Sequence, residues 1–266
     1  MLPLPAGQMT FICGPVASGK TFTIKQWLSI QNRYVVFDGT GEFLDAAGVE
    51  TIWASPKSLH KRIADSPYYY RLVYQPGRNR REDFRHVLNV LWWKNHYKLL
   101  VCDEFHEMCP VEGTTESIEM MLRFARHDKL AFIGASQRIA DVNKLYTSAC
   151  RMNVLFWTQE ARDLDAIEAR WGCADLVTNL RMCIYDDTTQ ICHQIPQAVI
   201  CEKGKKPYIW DFKTDRVVGE TGIERDESGC VRDLEENGQG SEIPKIEAPG
   251  NGEADSEASS ERAGGG

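Results

Sequence analysis

The sequence predicts an α/β fold in which a mainly parallel sheet is flanked by helices on both faces. Three observations support this. Short apolar runs alternate with stretches whose apolar residues recur at helical spacing. Clusters of turn residues close several of the runs, as at 38–41. Beyond residue 180 the pattern changes to short strands joined by tight turns, which we expect to extend the sheet in antiparallel fashion.

The individual elements follow from local patterns. The apolar runs predict strands at 9–13, 34–37, 72–74, 99–102, 130–133 and 154–157, and shorter ones at 182–185, 191–195 and 208–212. Helical spacing predicts helices over 20–29, 82–93, 115–126 and 163–171. The helix at 82–93 carries Phe84, Val87, Leu88 and Leu91 on one face, and Thr114 or Thr115 can cap the next one.

Composition and length are those of a water-soluble globular chain. The 266 residues are 42% hydrophobic, enough to bury a full core. No stretch approaches the roughly 20 apolar residues of a membrane-spanning helix, and residues 1–10 do not look like a signal peptide. Nine cysteines are scattered without a C-x-x-C pair, which favours reduced thiols in the core over a zinc site or a disulfide framework. We therefore expect a soluble intracellular protein.

Charge divides the chain into two parts. The net charge is −7, but residues 219–266 alone hold 13 acidic and 4 basic side chains. The other 218 residues hold 25 acidic and 27 basic side chains, so that part is close to neutral. The acidic stretch is rich in Gly, Ser and Glu and has little apolar surface to offset the entropy of ordering. We expect a domain at 1–218 and a disordered tail at 219–266.

A phosphate-binding motif follows the first predicted strand. Residues 14–21 match G-x-x-x-x-G-K-[ST] at every specified position and open the first helix. The residues are Gly14, Pro15, Val16, Ala17, Ser18, Gly19, Lys20 and Thr21. Glycines let main-chain N–H groups wrap around phosphate at the positive end of the helix. Lys20 is expected to reach the β- and γ-phosphates of ATP, and the Thr21 hydroxyl to ligate Mg²⁺. The alternative is a chance glycine-rich turn.

Two carboxylates follow the buried strand at 99–102. Asp103 and Glu104 would lie at the carboxyl end of that strand, where open α/β sheets bind ligands. Asp103 is expected to hold Mg²⁺, and Glu104 to orient and deprotonate the attacking water. Acidic pairs also begin many helices, so the assignment depends on the phosphate-binding motif about 80 residues earlier.

A neutral amide follows the next strand. Gln137 is expected at the carboxyl end of a strand beside Asp103, where it could sense the γ-phosphate or position the water. The alternative is an ordinary polar strand end.

The ordered set of motifs resembles the FtsK/HerA superfamily of DNA-pumping ATPases. The likeness is greatest to genome-packaging ATPases of tailless viruses with an internal membrane. The segments that carry it are GPVASGKT, VVFDGTGEF, LLVCDEFHEM, RFARHDKLAFIGASQRIADV and VLFWTQEARDLDAIEARWG, which together span about 9–172. The resemblance implies a P-loop NTPase fold of the RecA-like type with an additional catalytic glutamate.

The resemblance also implies roles for residues and partners. Gln137 becomes the sensor, and Arg126 matches the arginine that relatives point into the neighbouring subunit's ATP, with Arg123 and Arg151 as rivals. A finger of this kind implies a homo-oligomeric ring, a hexamer in the family. The implied function is translocation of double-stranded DNA into a preformed viral capsid, in the host cytoplasm or at the packaging vertex of the virion. A capsid or membrane protein would be a further partner.

Other functions stay open at this stage. A filamentous-phage assembly ATPase, a host ATPase for conjugation or DNA repair, and a non-motor nucleotide switch or kinase could use the same loop. Asp38 and Glu42 resemble an acidic pattern of relatives, but a structural turn is the better explanation of both. For DNA contact the densest cationic stretch is 77–86, hereafter the basic segment, which could equally be a solvated loop and helix face. The tyrosines at 68–70 could line a groove or belong to a strand.

Overall fold

The structure is a computed structural model of the full chain. It describes residues 2, 4, 8–44, 48–92, 98–113, 116–125, 129–186 and 191–220. The described residues all fall in one compact unit, Met1–Ile223. The predicted tail lies outside the described residues except for Gly219 and Glu220, which end the last strand.

The elements have the following bounds. The strands are β1 Met9–Cys13, β2 Arg33–Phe37, β3 Glu50–Trp53, β4 Tyr70–Gln75, β5 Lys98–Cys102, β6 Leu130–Ser136, β7 Met152–Phe156, β8 Ile184–Asp186, β9 Ile191–Gln194, β10 Gln197–Glu202, β11 Tyr208–Asp211 and β12 Arg216–Glu220. The α-helices are α1 Lys20–Ser29, α2 Pro56–Asp65, α3 Arg80–Trp92, α4 Glu116–Phe124, α5 Lys144–Ala149, α6 Ala161–Trp171 and α7 Ala174–Thr178. A 3₁₀ turn covers Phe105–Glu107.

Ten strands form one mixed sheet in the order β12-β11-β10-β7-β1-β6-β5-β2-β4-β3. The pairs from β7 through to β3 are all parallel, whereas β10, β11 and β12 add antiparallel strands beside β7. The predicted α/β class with a mainly parallel sheet is therefore confirmed. The strand β6 lies between β1 and β5, so the carboxyl ends of these three strands share one edge, hereafter the nucleotide edge.

The sheet is buried on both faces because its central strands are almost entirely apolar. All five residues of β5 and all seven of β6 are buried. Trp27 of α1 packs on one face with Val36 and Val101, while Phe84 of α3 packs on the other with Leu100. Continuous apolar strands of this kind are typical of parallel sheets covered by helices.

Several elements differ from the sequence-based prediction. The strands β3, β10 and β12 and the helices α2, α5 and α7 were not predicted. The prediction that every late strand extends the sheet was wrong for β8 and β9, which form a separate two-stranded sheet with each other. Predicted helix ends at 93, 115 and 126 lie outside the described residues.

Two further observations bear on composition. No helix among the described residues is long and apolar enough to cross a membrane. Six described cysteines are buried thiols outside any disulfide, in keeping with reduced thiols in the core: Cys13, Cys102, Cys109, Cys150, Cys173 and Cys201.

Candidate functional site

The phosphate-binding loop connects β1 to α1 with a backbone that glycine makes accessible. Gly19 has φ 110°, in the left-handed region, and comes directly before the first residue of α1. A Cβ at Gly14 would lie 2.6 Å from both Phe156 Cβ and Ser18 Oγ, so no larger residue fits there. The Gly14 N–H donates to the Ser136 carbonyl at 3.3 Å, which fixes the loop to the end of β6.

The side chains of the loop provide a cation, a hydroxyl and an unpaired polar atom. The ammonium of Lys20 lies back over the loop and donates to the carbonyls of Gly14 at 2.7 Å and Pro15 at 2.8 Å. Its burial lowers the pKa of Lys20, and nearby carboxylates, among them those of Asp103 and Glu104, oppose that shift. The Ser18 hydroxyl is buried and has no hydrogen-bond partner in the described structure. An orphaned polar atom beside a lysine is suited to an anionic ligand.

Asp103 follows β5 and is held from the neighbouring strand β2. Its N–H donates to the Phe37 carbonyl at 3.1 Å, and its Oδ2 accepts from Thr40 Oγ1 at 2.8 Å. Burial raises the pKa of Asp103 to about 6, although the hydrogen bond from Thr40 opposes this. The hydrogen-bond donors to this carboxylate, Thr40 and the main chain of Glu104, are neutral and do not overcome the effect of burial, so a bound cation would offset part of the cost of its charge.

Glu104 takes an unusual backbone conformation that directs it along the nucleotide edge. Its φ is 48°, in the left-handed region, where a non-glycine residue costs of the order of 1–3 kcal/mol. The turn is held by Phe105, which is fully buried and contacts Phe132 and Tyr146 with ring centroids 5.1 and 4.5 Å away. Gly134 makes room for this ring, since a Cβ there would lie 2.8 Å from Phe105 Cδ1.

Gln137 and His106 both contact the carboxylate of Glu104. Gln137 Nε2 donates to Oε1 at 2.6 Å, and His106 Nδ1 lies 3.2 Å from Oε2. Burial raises the pKa of Glu104, but hydrogen bonds from His106 and Gln137 and the charge of Lys20 outweigh it, so the pKa is lowered. The hydrogen bond to Glu104 in turn raises the pKa of His106. Glu104 is therefore ionised near neutral pH and can accept a proton.

The turn after β2 contributes side chains that the sequence analysis did not assign to the site. Asp38 is fully buried and accepts from the N–H groups of Thr40, Gly41 and Phe43, so it has the structural role that was one of its two interpretations. Glu42, in contrast, accepts a hydrogen bond from the Thr21 hydroxyl. The turn thus reaches both proposed magnesium ligands, Thr21 through Glu42 and Asp103 through Thr40.

These residues fit a magnesium nucleotide. Mg²⁺ takes oxygen ligands and is usually held by one or two protein groups together with substrate phosphates and water. The Thr21 hydroxyl and the Asp103 carboxylate are oxygen donors of this kind. In the described part of the chain no three His, Cys, Asp or Glu side chains form a cluster that could hold a metal without such help. The arrangement could bind a triphosphate beside an ionised base, which is the requirement for hydrolysis.

The candidate finger arginines are placed apart from this site or not described. Arg126, the leading candidate, lies outside the described residues. Arg123 is on α4, with its side chain 72% exposed and 3.8 Å from Glu119. Arg151 is exposed and directly precedes β7, so it lies at the opposite sheet edge from the phosphate-binding loop. Arg151 thus lies away from the phosphate-binding loop of its own subunit, and the ion pair found for Arg123 is with Glu119 of its own helix.

The basic segment is partly engaged within the chain. Arg80 Nη1 donates to both carboxylate oxygens of Glu107 at 2.7 and 2.8 Å, and Arg81 Nε donates to the Glu107 carbonyl at 2.9 Å. Arg78 is exposed and Arg85 lies 3.8 Å from Glu82. Of the tyrosines at 68–70, Tyr70 is buried in β4 and the first two are exposed.

Comparison with known proteins gives likenesses of structure only. No protein-family model matches the chain, and no curated protein matches it either. The genome packaging NTPase B204 from Sulfolobus turreted icosahedral virus 2, solved with ATP-gammaS, aligns with a TM-score of 0.58 and 16% identity, covering 79% of this chain and 94% of that one. B204 described as the DNA-packaging ATPase from Sulfolobus Turreted Icosahedral Virus aligns with a TM-score of 0.55 and 16% identity, covering 82% and 99%.

A more distant likeness extends to secretion ATPases. The cytoplasmic domain of the Thermomonospora curvata Type VII secretion ATPase EccC has a TM-score of 0.44 and 11% identity, and the match covers 76% of this chain and 23% of that one. The matches to B204 show that this chain has the fold of a P-loop NTPase. The fold expected from the resemblance to the FtsK/HerA superfamily is thereby confirmed.

Proposed function

We propose that this chain is an ATPase that translocates double-stranded DNA, and that it packages a viral genome into a preformed capsid as a hexameric ring. One observation carries the ATPase part. The phosphate-binding loop after β1, Gln137 after β6 and the acidic pair after β5 lie on three adjacent strand ends. Gln137 and Glu104 are already in hydrogen-bond contact there.

Each group has a chemical role in this proposal. Lys20 and the loop amides bind the phosphates. Thr21 and Asp103 would hold Mg²⁺, which would supply positive charge to offset the charge that develops on the phosphates. Glu104 accepts the proton of the attacking water, and Gln137 fixes the carboxylate and senses the γ-phosphate. A switch protein could work without the second acid, so an ionised Glu104 beside Lys20 favours hydrolysis.

The DNA part rests on the fold likeness. The solved structures that align over most of both chains are described as a genome packaging NTPase and a DNA-packaging ATPase. Contacts to DNA are proposed to be non-specific and to phosphates, since translocation must tolerate any sequence.

ATP hydrolysis with and without duplex DNA tests this function. The proposal expects a basal rate that long duplex DNA raises, and movement along DNA that displaces a bound oligonucleotide. Lys20→Ala is the control that should abolish both signals. A wild-type rate that is unchanged by saturating duplex DNA would contradict translocation while leaving the ATPase assignment in place.

The proposed ring predicts that the site is completed by a neighbouring subunit. Arg126→Ala should stop hydrolysis and leave ATP binding intact, because the finger acts on charge in the transition state. Mixing Arg126→Ala with Glu104→Gln subunits should restore part of the activity, since some interfaces then combine an intact Glu104 with an intact Arg126. Arg123→Ala and Arg151→Ala are matched variants. If Arg123→Ala or Arg151→Ala is inactive alone and regains activity when mixed with Glu104→Gln, while Arg126→Ala does not, that arginine is the finger.

A further inference from the structure

The first residue of α3 reaches back to the nucleotide edge. Arg80 Nη1 donates to both oxygens of the Glu107 carboxylate, and Arg80 Nη2 donates to the Gly39 carbonyl at 3.1 Å. The guanidinium therefore joins two loops, the turn after β2 and the 3₁₀ turn after β5. A Cβ built on Gly39 would lie 3.3 Å from Nη1, so the glycine allows this close approach.

The two loops are the ones that carry the carboxylates of the site. Gly39 adjoins Thr40, whose hydroxyl donates to Asp103 Oδ2 at 2.8 Å. Glu107 donates its N–H to the Glu104 carbonyl at 3.0 Å, which closes the turn that begins at Glu104. Asp103 is thus connected to Arg80 through Thr40 and Gly39, and Glu104 is connected to it through Glu107.

We propose that Arg80 is a positioning residue that holds Asp103 and Glu104 in their catalytic arrangement through these two contacts. The first contact, from Nη2 to the Gly39 carbonyl, fixes Gly39 and, through Thr40, the Asp103 carboxylate that is proposed to hold Mg²⁺. The second contact, from Nη1 to the Glu107 carboxylate, fixes Glu107 and, through the 3₁₀ turn, Glu104 with its left-handed backbone. The inference rests on the proposed ATPase function and adds to it a residue that touches neither nucleotide nor metal.

The chemistry of the side chain suits this role. A planar guanidinium presents donors on two nitrogens at once, so it can bind a carboxylate and a carbonyl in fixed relative positions, which a lysine ammonium does less well. The Arg80–Glu107 pair is partly exposed, with side-chain exposures of 40% and 36%. Pairs of this kind contribute little to stability, so its removal should alter the site more than the fold.

Arg80→Ala, Arg80→Lys and Arg62→Ala test the proposal. Arg62 pairs with Glu50 at a similar exposure and is the matched control. Two quantities are measured: the Mg²⁺ concentration at half-maximal binding of a fluorescent ATP analogue, and kcat with KM for ATP. For Arg80→Ala we expect kcat to fall by about tenfold or more, because small displacements of catalytic groups are costly. The Mg²⁺ midpoint should rise several-fold, while KM at saturating Mg²⁺ stays near the wild-type value.

The controls separate the possible causes. Arg80→Lys should fall between wild type and Arg80→Ala, and Arg62→Ala should match wild type. Glu107→Gln weakens only the second contact, between Arg80 and the Glu107 carboxylate, so it should lower kcat and leave the Mg²⁺ midpoint unchanged. If thermal unfolding shows that Arg80→Ala does not fold, Glu107→Gln still tests the proposal.

Two results would overturn the inference. One is an Arg80→Ala protein with the kcat and Mg²⁺ midpoint of Arg62→Ala. The other is a Glu107→Gln protein with a wild-type kcat. If wild-type protein binds ATP but does not hydrolyse it, the proposed function fails. In that case the Mg²⁺ midpoint of Arg80→Ala still tests the contact between Arg80 and Gly39, because this measurement needs no turnover.

Discussion

The nucleotide edge and the basic segment were both predicted from residue types, yet the structure uses their cations differently. Lys20 of the phosphate-binding loop is buried and donates hydrogen bonds to two main-chain carbonyls, so it can exchange these partners for phosphate. Arg80 of the basic segment is engaged with the carboxylate of Glu107. Arg78, two residues earlier, is exposed.

The difference shows what a local motif can and cannot specify. The spacing G-x-x-x-x-G-K-[ST] fixes a backbone path, and the function of Lys20 follows from that path. A run of arginines fixes only a charge, and the partner of each arginine depends on which acids the fold brings near. The basic segment is therefore not a uniform surface for DNA.

Replacing the lysine of the loop should have the largest effect on binding. Lys20→Ala is expected to weaken ATP binding by at least about 100-fold, equivalent to roughly 3 kcal/mol, since charge-assisted hydrogen bonds to phosphate are lost. Isothermal titration with ATP and Mg²⁺ measures this. Lys25→Ala, exposed on the same helix, is the control and should bind as wild type. Equal affinities for both variants would remove Lys20 from the site.

Asp103→Asn should stabilise the metal-free protein in a pH-dependent manner. The pKa of Asp103 is raised to about 6, so folding favours its protonated form, and stability from this group falls as pH rises from about 4 to 6. Above pH 6 the buried charge costs up to about 3 kcal/mol. Urea unfolding in EDTA should show the variant more stable than wild type at pH 7.5, with the gap closing at pH 4.

The exposed Asp165 provides the control for that measurement. Asp165→Asn should change the free energy of unfolding little at either pH. If Asp103→Asn were no more stable than Asp165→Asn at pH 7.5, the buried carboxylate would not carry the cost that its surroundings impose.

Much of the site could be predicted from the sequence because it is encoded locally. The loop at 14–21 and the acids after β5 each follow an apolar strand, and Gln137 follows the strand between them. The contacts of Thr40, Glu42 and Arg80 could not be predicted, because they join segments that are distant in sequence.

The missed elements have a different cause. The edge strand β3 is only four residues long and half exposed, so its apolar pattern is weak. The helix α2 did have a readable signal, since Ser55 caps it and Pro56 occupies its first position. The helix α5 is likewise capped, by Asn143.

The smallest expected effects concern the basic segment. If it contacts DNA phosphates, Arg78→Gln should reduce the slope of log affinity against log salt by about one, with a modest loss of affinity at low salt. Arg80→Gln should leave the slope nearly unchanged, because that arginine is engaged with Glu107. Fluorescence anisotropy of duplex DNA across a salt series measures both. Equal slope changes for the two variants would show that the pairing does not restrict Arg80.

The account depends most on Glu104 acting beside a triphosphate bound at residues 14–21. Single-turnover hydrolysis of ATP by Glu104→Gln tests it directly, with bound nucleotide measured in the same samples. We expect ATP bound at wild-type occupancy and hydrolysis slowed by about 10²–10⁴-fold, the usual contribution of a general base. Hydrolysis within a few-fold of the wild-type rate would contradict the account.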